Sequence, residues 1–197
     1  MNANEVIANR AIELLGGNKG DYDLVSPNTH VNMAQSTNDA FPTAIKIAAL
    51  TLARALVEAL TVLRQALRDK EQEFDGIIKM GRTHLQDAVP IRLGQEFGAW
   101  AAAISRDIDR ISIAAKGLEK ISMGATAVGT GLNADVEYIE YVTEILAFNT
   151  GLDLVGAENM VDATQNTDVY AALSSTLKIC AVNLSKMAND LRLLASG

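Results

Sequence analysis

Cysteine occurs once in the 197 residues, at Cys180. An internal disulfide is excluded, and such thiol usage fits a reducing compartment. Aromatic residues are scarce, at 5%, so Ala, Leu, Ile and Val must do most of the burying. That composition suits close-packed helices better than a sandwich of strands. Histidine is limited to His30 and His84. No run rich in Lys and Arg is present, and a net charge of −7 with a pI near 4.8 repels duplex nucleic acid and anionic membranes. Lys or Arg interrupts every long apolar run, so no transmembrane span is expected. The opening Met1-Asn2-Ala3-Asn4-Glu5 is polar and acidic, unlike a secretory signal. The expected location is the cytoplasm, with neither nucleic acid nor membrane as partner.

What is there is long, periodic and helical. The chain is long enough for one sizeable domain, and its hydrophobic fraction is that of a globular protein. Residues 5–15 read as a helix ended by Gly16-Gly17. After a polar, irregular stretch over 18–36, with Ser26-Pro27-Asn28 as a turn, a long helix is expected from Asp39 to Gln72, with Pro42 in its first turn. Residues 74–92 read as a second irregular stretch. A helix over Leu93–Leu118 places Phe97, Ala101, Ile104, Ile108, Ile111, Ala115 and Leu118 at alternating steps of four and three, the spacing of a coiled-coil seam. A glycine-marked loop surrounds 124–131, and a helix follows from Asp135 to Phe148. The last helix, Thr167–Leu194, repeats the seam at Leu173, Leu177, Cys180, Leu184, Met187, Leu191 and Leu194. These features predict an all-α fold, a bundle of long helices forming a single domain over residues 1–197.

The 39–72 helix carries one apolar stripe at Ile45, Ala49, Leu52, Leu56, Leu60, Leu63 and Leu67, with Ile47, Leu50 and Val57 off it. A helix apolar on more than one side must be buried on more than one side. Either a single bundle or a homo-oligomer with merged bundles satisfies that requirement.

Three segments are rich in small polar side chains. Asn32-Met33-Ala34-Gln35-Ser36-Thr37-Asn38-Asp39 opens directly into the long helix, where free N–H groups and the helix dipole favour a carboxylate ligand. A plain N-cap uses the same residue types. Lys79-Met80-Gly81-Arg82-Thr83-His84-Leu85-Gln86-Asp87 places a histidine between hydroxyl and amide side chains, open to an acid–base role or to a purely structural one. His30, alone in its loop, reads as structural. Ser122–Gly131 reads as a tight turn lining something, and it lacks the strand and Lys of a phosphate-binding loop. Cys180 falls on a seam and reads as core. No cluster has metal-ligand spacing, so neither metal nor cofactor is expected.

Together these segments resemble the aspartase/fumarase superfamily. The blocks are Gln35–Ala44, Gly81–Pro90 followed by Leu93-Gly94-Gln95-Glu96-Phe97, Gly124–Asn133, and the closing Asn189–Gly197. The likeness runs along essentially the whole chain, in order. Ser36-Thr37-Asn38, Met1–Arg10 and Glu158–Asn166 are similar to the aspartase branch, whereas class II fumarases usually carry Ser-Ser-Asn. The resemblance implies the central helical domain of that fold and reversible deamination of L-aspartate to fumarate through an aci-carboxylate intermediate. It implies that Ser36, Thr37 and Asn38 hold the carboxylate and amino group of a small dicarboxylate or amino-acid substrate. Thr83 and His84, from another subunit of a homotetramer, contact its other end. The family's general-base serine, on a loop with Gly-Ser-Ser and Pro-Gly-Lys motifs, is expected beyond Gly197, and a Gly-Thr-Ser-type segment before Met1. On that expectation His84 is supporting and the 197 residues alone are inactive. Ser26-Pro27-Asn28-Thr29 departs from the His-Pro-Asn-Asp of many fumarases. Malate dehydration and a non-catalytic helical assembly module are the alternatives.

Overall fold

The computed structural model describes residues 2–196. Helices dominate, as the composition predicts: α1 (Asn2–Leu14), α2 (Thr37–Glu73), α3 (Leu93–Lys116), α4 (Val136–Thr150), α5 (Met160–Gln165) and α6 (Asp168–Leu194). The chain forms two compact units, Met1–Ile47 with Glu119–Asn166, and Ala48–Leu118 with Thr167–Gly197. Helix α2 begins in the first and continues into the second. No helix among the described residues is long and apolar enough to cross a membrane.

In the first unit, α1 buries Ala8 and Ile12 and ends at Gly16 in the left-handed region. A π-helical turn over Pro27–Val31 follows, capped by Ser26, whose Oγ accepts the N–H groups of Asn28 and Thr29. The segment Ile121–Thr126 is buried throughout. It is held by two-residue parallel strands, β3 (Lys120–Ile121) and β4 (Val155–Gly156), and by the buried Lys46 ammonium, which donates to the Lys120 carbonyl at 2.6 Å. Gly129 sits at φ 93°, and a Cβ there would lie 2.5 Å from the Cα of Val161, so no larger residue fits this crossing.

The second unit is built on the pairing of α3 with α6. The α3 seam is buried or half-buried at every expected position, from Phe97 to Leu118. On α6 the seam differs from expectation. Leu173, Cys180 and Met187 are buried, but Leu177, Leu191 and Leu194 are exposed. Polar groups complete the inner line: Asn183 Nδ2 donates to both carboxylate oxygens of buried Asp107 at 2.9 and 2.8 Å. Trp100 Nε1 donates to Asp190 at 3.3 Å. A buried polar group is tolerated on a helix interface when its partner lies across the seam. Burial raises the Cys180 thiol pKa, and the nearby Asp107 charge adds to the effect, as befits an inert core cysteine.

Residues 74–92, expected to be irregular, form a two-stranded antiparallel hairpin, β1 (Ile78–Thr83) and β2 (Gln86–Arg92). Its faces are mostly exposed, so it lacks the alternating apolar pattern that marks a strand in sequence. Lys79–Glu96 and Arg92–Asp75 ion pairs, each at 2.9 Å, join it to its neighbours. A Cβ on Gly94 would strike the Glu71 carbonyl, so glycine permits α3 to start against the end of α2. Phe74, Phe97 and Trp100 pack edge to face there, with centroids 5.2 and 4.9 Å apart.

Helix α2 starts at Thr37, two residues earlier than expected, which puts Pro42 inside the helix rather than in its first turn. Its buried line is Lys46, Leu50, Ala53, Leu60 and Leu67, while Ile45 and Leu52 of the expected stripe face outward. The chain's own core takes one side of a helix that is apolar on several.

Ile104 is fully buried at the centre of the α3 seam. Replacing it with Ala leaves a cavity between α3 and α6, so chemical denaturation should show a loss of about 2–5 kcal/mol. A loss below about 1 kcal/mol would mean that this seam is not the core of the unit.

Candidate active site

The sequence-nominated residues occupy two places, one in each unit. In the first unit the Ser36-Thr37-Asn38 triplet forms the start of α2. Ser36 is the cap: its Oγ accepts the Asn38 N–H at 3.1 Å, and its own N–H donates to Asp39 Oδ1 at 2.8 Å. The return bond is that of a capping box, with aspartate in the place usually held by Glu or Gln, while the Ser36 hydroxyl meets the second helical N–H. Ala34 at φ 59° turns the chain into it. The Asn38 amide donates to the Ala127 carbonyl at 2.7 Å, and the Thr126 N–H donates to Asp39 Oδ2 at 2.9 Å. The glycine-marked loop is thus bound to the helix start.

Between them lies a cleft of about 610 Å³, lined by Asn28, Thr29, Asn32, Gln35, Ser36, Thr37, Thr126 and Asn133, with Met33, Ala34, Ala127 and Leu132. None of these side chains titrates near neutral pH. The cleft offers hydroxyls and amides at a helix N-terminus, a setting that holds an anion by hydrogen bonds. Ser36 thus caps the helix and also lines the cleft. The loop over Ser122–Gly131, expected to line something, does line the cleft, but sequence reasoning gave no role to Asp39, Thr126 or Asn133. The Ser-x-x-Asp spacing was the available signal for the first, and the small-residue loop for the other two. The Thr43, Ser122 and Thr126 hydroxyl oxygens are buried without a hydrogen-bond partner. The Tyr138 phenol is pushed up, chiefly by burial and then by the charge of Asp39. His30 has a structural partner, its Nδ1 accepting the Ser26 N–H at 2.9 Å.

In the second unit Thr83 and His84 stand exposed at the tip of the hairpin. His84 and Leu85 are its two loop residues, at φ 51° and 61°. Paired positive φ values mark a type I′ turn, which normally takes Asn-Gly. A cavity of about 490 Å³ beside the tip is lined by Lys79, Arg82, His84, Leu85, Glu96, Trp100, Lys186 and Asp190, among others. Lys79 pairs with Glu96 and Lys186 with Asp190. Neither hydrophobic pattern nor turn chemistry announced this hairpin in the sequence.

The Leu85 side chain is 72% exposed, so little packing opposes its replacement. Leu85→Gly should raise stability by about 1 kcal/mol by removing left-handed strain. Thermal melts would read it as a rise in Tm, and a fall would mean that the Leu85 side chain holds the turn.

A family model described as Lyase matches residues 1–197. Aspartate ammonia-lyase from Bacillus subtilis (strain 168) is 61% identical over the whole of this chain, which spans 42% of that enzyme. A fumarate lyase:delta crystallin from Brucella melitensis, solved bound to cobalt, superposes with a TM-score of 0.95 at 48% identity, over all of this chain and 43% of that one. A class II fumarase from Schistosoma mansoni gives 0.92 at 35% identity, over 44% of its length. Matched from end to end by the family model and by folds of this kind, the chain belongs to the lyase family that contains the aspartases and fumarases.

Proposed function

We propose that the protein carrying this chain is an aspartate ammonia-lyase that reversibly deaminates L-aspartate to fumarate and ammonia. The observation that carries the reading is the cleft at the start of α2, rich in hydrogen-bond donors and lined by Ser36 and Thr37. Deprotonating the carbon beside a carboxylate places two negative charges on one carboxyl group. Preorganised donors stabilise such a dianion, each worth roughly 10²–10³ in rate. In this reading Ser36, Thr37 and Asn38 hold the carboxylate and amino group. Thr83 and His84 of another subunit meet the other end of the substrate. The proton must go to a positioned base, and the family resemblance assigns that task to a serine on a loop that does not line this cleft.

A homotetramer supports that division of labour. Along α2 of the second unit, Ala48, Leu52, Ala55, Ala59, Val62 and Ala66 are all exposed. They step by four and three, the spacing of a second seam. Leu52 and Val62 are 70% and 71% exposed, an arrangement a lone subunit rarely keeps in water. The reading places the enzyme in the cytoplasm.

Ultraviolet assay of fumarate formation with the full-length protein is the test of substrate. Aspartate should turn over faster than malate, and the reverse would move the assignment to a fumarase. Ser36→Ala should lower kcat about 10²-fold or more.

Light scattering should give four subunits for the parent protein. Leu52→Asp combined with Val62→Asp should dissociate it, because each buries a charge in an apolar seam. A parent that stays monomeric at high concentration would remove the shared-bundle arrangement.

A further inference from the structure

We propose that Asp39 is a positioning residue, clamping the two main-chain walls of the cleft so that Ser36 and Thr37 meet the substrate in one geometry. The proposal rests on reading the cleft as the carboxylate site of a lyase. Asp39 is fully buried, at 0% exposure, and a buried carboxylate persists only where hydrogen bonds replace its lost water. One oxygen takes the Ser36 N–H at 2.8 Å and the other the Thr126 N–H at 2.9 Å. Capping α2 would need only the first bond and no burial. The second reaches 87 residues along the chain, to a residue at φ 58°. A β-branched residue rarely adopts that conformation unaided, so the bond to Asp39 is what holds Thr126 there. Both bonded segments line the cleft, Ser36 on one side and Thr126-Ala127 on the other. The Asn38 bond to Ala127 ties the same two segments a second time.

The clamp makes a prediction whose sign separates it from plain electrostatics. Asp39 places a negative charge beside an anion site, so neutralising it would, on charge alone, tighten anion binding. If the carboxylate acts by positioning, neutralising it weakens binding. In the full-length protein, Asp39→Asn should raise both the KM for aspartate and the Ki of succinate by about tenfold or more, the value of one charge-assisted hydrogen bond. An Asp39→Asn enzyme with unchanged or lower Ki would overturn the proposal, even if its kcat fell through loss of active protein. Glycine adopts φ 58° without help, so the same substitution in a Thr126→Gly background should cost less than about threefold. Equal costs in both backgrounds would show that Asp39 does not act through Thr126. Should Asp39→Asn fail to fold, hydrogen exchange on the unaltered protein decides. The Ser36 and Thr126 amides should be slow and become slower together with succinate, and a freely exchanging Thr126 amide would overturn the clamp. A protein that processes neither aspartate nor malate would end the lyase reading, while the exchange of those two amides would still report on the clamp.

Discussion

A helix that repeats its apolar residues at steps of four and three must find a partner along its whole length. α3 finds one in α6, and the pairing organises the second unit. With few aromatics, the buried apolar residues of the two helices are Ala101, Ile104 and Ile111 on α3 and Leu173, Cys180 and Met187 on α6, beside Trp100. Small and branched side chains of this kind specify a close approach but not a unique register. The Asp107–Asn183 pair supplies register, because a shift by one turn would leave a buried carboxylate without its donors. Arg110 donates to the same carboxylate from one turn further along, at 2.7 Å, and stays partly in solvent. The charge of Asp107 is thus met on its own helix as well as across the seam.

The same constraint sends the polar chemistry to element ends. A helix interior has no spare N–H groups, whereas its first turn has four. The start of α2 uses Ser36 and Asp39 for part of that need and leaves hydroxyl and amide groups facing a cleft. The hairpin tip solves a different problem. It projects Thr83 and His84 into solvent, where two unsupported strands would be marginal in water. Ion pairs from Lys79 and Arg92 and the Phe74–Phe97 contact anchor its base instead.

The helical elements and the α3 seam were legible in the sequence because a 3.6-residue period survives single mismatches. The α2 and α6 stripes were legible only as apolar, since periodicity cannot say which of two apolar faces the chain covers itself. Leu177 was placed on the inner seam and lies outward, and Leu52, whose burial could fall to the chain or to a second copy, is exposed. The hairpin was illegible for a physical reason: its strands expose apolar Ile78, Met80 and Val89 as well as charged side chains, so no buried apolar face marks them, and its turn is His84-Leu85 rather than Asn-Gly. The Ser36-Thr37-Asn38 block was legible both by its position before a long apolar helix and by family likeness. Asp39 was hidden within it, because its second hydrogen bond runs to a residue distant in sequence.

Backbone strain follows the same map. Ala34, Thr126 and Asn133, at φ 59°, 58° and 66°, belong to the cleft of the first unit, and His84 and Leu85 to the hairpin tip of the second. These are all the described non-glycine residues at positive φ, and each lines one of the two cavities. Left-handed residues cost of order 1–2 kcal/mol each and persist only where surrounding bonds over-determine them. At Thr126 that bond is the Asp39 carboxylate, itself fixed by the cap it forms with Ser36. At the hairpin the turn is enforced by the antiparallel register that pairs Thr83 with Gln86. In both places, stability of the surrounding element holds a few residues in conformations they would leave if free. In the proposed lyase, donors held this way would need no reordering when charge develops on a substrate, and that is the condition under which hydrogen-bond donors accelerate a reaction rather than merely bind its reactant.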